Sequence, residues 1–262
     1  MVRRRGNSRT VAWMAGGAGA VALVLTGCAL VSGGDEEPDT PAKGGASVSA
    51  SASPAPEYEV PQDWDEPVRW SALPRGERTD EWGSRVGFPK TAEGAVGMAT
   101  AANSTAIEGD VNARDEQLRI YHSYVVKANQ VDSVAEEIEM TALDTDKRLA
   151  RLMGVKPGQP LPAGGYLRSV VVGYKIIEQS PDEVSVWLLG RAVTKTGETA
   201  KESTDFTRTV IGVQWQDGDW KLTADSTARA LRAVQGKPKP EHAAPGDPNF
   251  NAAGWTAIRE AS

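Results

Sequence analysis

Six residues in the middle of the chain have side chains suited to proton transfer. Tyr121, Tyr124, Tyr166 and Tyr174 carry phenols that can donate a hydrogen bond to a developing oxyanion, and Asp144 and Asp146 carry carboxylates that can act as a base. Such a set works only where a cavity holds carboxylate and phenol within hydrogen-bond reach and burial shifts the carboxylate. No spacing in the sequence fixes that convergence. The other familiar chemistries lack their residues. Of the two histidines, His122 falls on the apolar stripe of a helical segment, which reads as a packing role, and His242 lies near the C-terminus. There is no His-Glu-x-x-His, no Gly-x-Ser-x-Gly elbow and no phosphate-binding Gly-x-x-x-x-Gly-Lys-Ser/Thr loop. Glu136, Glu137 and Glu139 read as the solvated start of a helix, where the backbone dipole favours acids. No metal and no other cofactor is implied.

Cys28 is the only cysteine, so neither an internal disulfide nor a cysteine-based zinc site is available. It ends the tetrapeptide Leu25-Thr26-Gly27-Cys28, which closes an uncharged run from Thr10 to Gly34 behind Arg3, Arg4, Arg5 and Arg9. A basic start followed by an apolar run is the pattern of an export signal. The tetrapeptide resembles the lipobox of bacterial lipoproteins, which implies diacylglycerol on the Cys28 thiol after cleavage. The same run is long enough to span a bilayer as an uncleaved anchor, since about 20 apolar residues suffice. Both readings leave the rest of the chain outside the cell membrane, because the arginines hold the N-terminus inside.

The elements that would position any site come after this leader. Residues 1–31 are expected to be signal or anchor. Residues 32–62 are expected to be a disordered linker, with an acidic stretch at Asp35-Glu36-Glu37 and a Ser/Ala/Gly stretch near Gly44–Ser53. Residues 63–235 have room for one domain, and 236–262, rich in Pro, Gly and Asn, read as a flexible tail. The net charge of -6, with both signs well mixed, excludes a dedicated nucleic-acid binder.

Within the domain, residues 63–90 fit neither a helical nor a strand period. Pro67, Pro74 and Pro89 punctuate them, and they read as an extended arm laying Trp64, Trp70 and Trp82 across the domain. The alternative leaves these aromatics exposed as a strip for a partner or wall polymer. A helix follows Thr91 and is expected to reach about Ile107. Leu118, Tyr121, His122 and Val125 form one helical stripe. A third helix is expected to start on a Ser133-x-x-Glu136 capping box, carry Val134, Ile138, Thr141, Leu149 and Leu152 on its apolar side, and stop at Gly154. Four β-rich segments then span 167–177, 184–193, 199–216 and 220–223, joined by turns that include Asp217-Gly218-Asp219. A short helix is expected over 226–235.

Helices followed by a four-stranded antiparallel meander make an α+β plan. The closing Trp215-Gln216-Asp217-Gly218-Asp219-Trp220-Lys221-Leu222 hairpin resembles the curved, cystatin-like cone of the nuclear-transport-factor-2 type. Tethered cone domains are similar to scaffold subunits of conjugation and secretion machines. The segment Val86-Gly87-Phe88-Pro89-Lys90-Thr91 resembles one found in uncharacterised actinobacterial proteins. The leader, the linker and the missing catalytic motifs point to a noncatalytic, membrane-tethered, extracytoplasmic scaffold or adaptor that associates with other envelope proteins, and the resemblance adds a conjugative transfer or secretion apparatus as its setting. Two alternatives remain open: a lipoprotein holding a small apolar ligand in the cone, and an isomerase-like enzyme using Asp144 with Tyr121, Tyr124 or Tyr174.

Overall fold

The computed structural model describes residues 64–259. In chain order the elements are β1 (Trp70–Ala72), β2 (Arg78–Thr79), β3 (Arg85–Val86), α1 (Ala92–Ala102), β4 (Thr105–Glu108), α2 (Ala113–Tyr124) and α3 (Asp132–Met153). After these come β5 (Gly165–Gln179), β6 (Glu183–Thr196), β7 (Ser203–Gln216), β8 (Asp219–Leu222), α4 (Ala224–Val234), α5 (Pro248–Ala252) and β9 (Thr256–Arg259).

The three long strands β5, β6 and β7, with β8, form the antiparallel meander that the turns imply. Asp217 and Gly218 both take positive φ, 52° and 79°, so a two-residue turn matches the twist of β7 and β8. The sheet does not end there. Along the other edge of β5, β4 pairs with Tyr166–Ser169 and β9 pairs with Gly173 and Tyr174, and β1 runs parallel to β9. The result is an open, mixed, seven-stranded sheet of order β1-β9-β5-β6-β7-β8, with β4 also on β5. The expectation of N-terminal helices on a four-stranded cystatin-like cone is therefore corrected. Short strands precede α1, and both faces of the sheet carry helices.

Alternation along β6 shows why. Val184, Val186 and Leu188 join the core under α1 and α2, together with Ala95, Val96, Ile120, Tyr124 and Trp220. Trp187 and Leu189 point the other way, into a second core with Ala230 of α4, Phe250 of α5, Trp255 and Ala257. A strand covered on both faces reads as a continuous apolar run. Residues 236–259, the stretch with tail-like composition, supply α5 and β9, and Phe250, Trp255 and Ala257 are fully buried there.

Helix boundaries follow local chemistry. The Thr91 hydroxyl accepts the Gly94 N–H at 3.0 Å and caps α1. Gly94 permits a close approach, since a Cβ there would lie 1.9 Å from the Pro89 carbonyl oxygen. α1 stops at Ala102, and Ile107 belongs to β4 rather than to the helix. The start of α3 carries no side-chain cap, so the capping box at Ser133 is not formed; Gly154 ends the helix in the left-handed region, φ 70°.

Candidate functional site

A groove of about 500 Å³ opens where the β4–α2 loop, α3 and the segment 157–161 meet. Its floor is a small third core in which Ile107, Ala113, Leu149, Met153 and Leu167 are buried. The segment 157–161 is held over it by the Leu161 N–H, which donates to the Gly109 carbonyl at 3.3 Å. Two of the groove's polar side chains, Asp146 and Arg114, are turned toward the protein. The Asp146 carboxylate accepts the N–H of Ala113 at 2.7 Å and of Arg114 at 3.3 Å, at the start of α2 where unpaired amides and the helix dipole favour an anion. Asn112 caps the same helix through the Asp115 N–H, and Arg114 Nε donates to Glu139 at 2.6 Å.

Apolar side chains also face outward. Val111 and Leu143 line the groove and are 42% and 41% exposed, and Met140, one turn from Leu143 on α3, is 70% exposed. The buried stripe of α3 is Ile138, Ala142, Thr145, Leu149 and Met153, so Met140 and Leu143 lie off it. Apolar residues off the buried stripe of an amphipathic helix are the sequence signal for this surface.

Of the residues singled out by proton chemistry, Asp146 lines this groove but is bound to the start of α2, and none of the tyrosines joins it there. Asp144 projects from α3 into solvent and pairs with Lys147 at 2.9 Å; that hydrogen bond holds its carboxyl below the usual carboxylate value. The Tyr121 hydroxyl donates to the Val131 carbonyl at 3.1 Å, and the Tyr124 hydroxyl donates to the Arg85 carbonyl at 3.0 Å. Burial raises both phenols above their ordinary values. Tyr174 is buried on β5 in the core beneath α1 and α2. The three tyrosines serve packing and backbone pairing, and Asp144 is separated from them on the surface. Leu25, Thr26, Gly27 and Cys28 lie outside the described residues.

Among the described residues, no group of three or more His, Cys, Asp and Glu side chains is placed to hold a metal ion. None of the described helices is long and apolar enough to cross a membrane. No family model, no curated protein and no solved structure matches this chain.

Proposed function

We propose that this chain is a noncatalytic adaptor, tethered through its N-terminal segment to the outer side of a membrane, whose groove beside α3 holds an apolar segment of another envelope protein. One observation carries this reading. The apolar surface does not stop at the groove but continues from Val111 and Leu143 onto Met140. A contiguous exposed apolar surface with a polar surround is the mark of a protein-binding site, and methionine is enriched in such contacts. The interior between α1, α2 and the sheet supports the same reading, because the protein's own side chains fill it.

The test uses the full chain in native membranes, crosslinked and sized. Wild type and Leu231→Asp are expected to give the same discrete complex, Leu231 being an apolar α4 residue of similar exposure, 47%. Leu143→Asp, alone or with Met140→Asp, is expected to abolish it. A wild-type chain that never enters a complex, or a Leu143→Asp chain that behaves as Leu231→Asp does, overturns the proposal. A second reading, a small apolar ligand in the groove, is favoured by its volume, which lies in the range of about 300–1,000 Å³ common for ligand sites. Mass spectrometry of an organic extract of the purified chain distinguishes it.

A further inference from the structure

A second concavity, of about 320 Å³, lies between the β2–β3 hairpin, the end of α2 and the β7–β8 turn. Trp82 stands at its rim, 45% exposed, on the tip of the hairpin. Its position is fixed twice. The Asp80 carboxylate accepts the backbone N–H of Trp82 at 3.0 Å and of Ser84 at 2.8 Å, and the indole stacks on the His122 ring at 4.2 Å and 15°. An exposed indole held this firmly presents an apolar platform at little conformational cost.

Asp80, Lys127 and Lys221 are engaged within the protein, but other polar groups around the indole are unspent. Among the described residues, the side chains of Arg78, Glu81 and Asp217 have no hydrogen-bond or ion-pair partner, and the indole N–H of Trp82 donates to none. Ser123, also in the lining, is 5% exposed and its hydroxyl has no partner. A buried polar group left unpaired is rare and calls for a specific reason. The charges cancel: Arg78, Lys127 and Lys221 face Asp80, Glu81 and Asp217. A balanced lining gives no field to gather a polyanion or a polycation. It offers donors and acceptors together beside an apolar aromatic face.

From these features we infer that this cleft is a binding site for a neutral saccharide. A pyranose ring has an apolar C–H face for Trp82 and hydroxyls that both donate and accept, matching Arg78, Glu81 and Asp217. The volume suits one or two sugar units, being at the lower end of ligand sites, about 300 Å³ and upward. This site is separate from the groove and does not rest on the adaptor reading.

The test is binding of the full chain, kept in detergent, to an array of neutral oligosaccharides that includes cellobiose, maltose and N,N′-diacetylchitobiose, with sugar phosphates and uronic acids alongside. At least one neutral saccharide is expected to bind. Trp82→Ala is expected to weaken it by about tenfold or more, as for an aromatic anchor. Trp82→Phe, which keeps a stacking ring and guards against a folding artefact, is expected to lose less, and Met140→Ala nothing. Binding to no neutral saccharide, binding to charged sugars alone, or a Trp82→Ala chain of unchanged affinity overturns the inference.

Discussion

The groove beside α3 and the cleft under Trp82 both draw on loops at helix ends, yet they differ in what they leave facing outward. In the groove the carboxylate of Asp146 is spent on the backbone N–H groups that begin α2, and Arg114 is spent on Glu139. Facing out are Val111, Leu143 and Met140, with Asp110 and Gln159 beside them. In the cleft Asp80 is spent on the N–H groups of Trp82 and Ser84 and Lys221 on the Ser123 carbonyl, while the side chains of Arg78, Glu81 and Asp217 are not spent. The difference gives a rule for a chain without relatives to compare. Polar groups consumed by backbone report on folding, and those left over report on what the surface receives. Hence the groove suits an apolar protein segment and the cleft a polar ligand.

The most damaging way to break this division is to remove a consumed group next to the cleft. Asp219 is 3% exposed and accepts the N–H of Gly87 and Phe88, each at 2.9 Å, and that of Trp220. Asp219→Ala strips three backbone donors, two of them buried, of their acceptor and should cost about 3 kcal/mol in denaturant unfolding. A loss near zero would mean that consumed groups do not hold the fold.

Asp146→Ala should come next, at about 1–2 kcal/mol, the usual worth of a helix N-terminal carboxylate or cap. Faster amide exchange at Ala113 and Arg114 would locate the loss. A third effect appears only at high pH. Burial raises the Tyr124 phenol, against the opposing pull of Ser84 and Arg119, so the unfolded chain releases this proton first. Its share of stability is full below the unfolded value of about pH 10 and falls as pH rises beyond it. Tyr124→Phe should flatten that alkaline slope, and an unchanged slope would assign it to other groups. The smallest effect belongs to the unspent groups. Arg78→Ala and Glu81→Gln should each change stability by no more than about 0.5 kcal/mol. A larger loss would show that these side chains serve the fold after all.

Much of the helical layer and the meander could be read directly. Thr91, Gly154 and the Asp217-Gly218 turn act through local geometry, which sequence records. The second face of the sheet was harder to see. It depends on residues far apart in the chain: Trp187 and Leu189 of β6 meet Phe250 and Trp255 across a stretch whose Pro, Gly and Asn content suggests no structure. Val186 to Leu189 is an apolar run buried on both faces, but nothing local shows which segment supplies the cover. β4 and β9 are four residues each, too short to carry a period, and pair only because β5 offers a free edge.

The sites divide the same way. The sequence pattern sets Thr141 and Leu152 on the apolar side of α3, where both are exposed, and so passes over Met140 and Leu143; the segment 157–161 that completes the groove is placed by long-range contacts, the hydrogen bond to Gly109 and the packing of Leu161 on the third core. Tyr121, Tyr124, Tyr174 and Asp144 have suitable chemistry, but their separation depends on packing: the phenols turn inward and the carboxylate stays on the surface with Lys147.

The central claim is that the α3 groove holds a partner protein. Its most direct test places a photo-crosslinking amino acid at position 143, and in a second strain at position 231, in the full chain in its native membrane. A discrete protein adduct from 143, lost when Met140→Asp is added and absent from 231, is the predicted result. No protein adduct from 143, or the same adducts from both positions, would contradict the account.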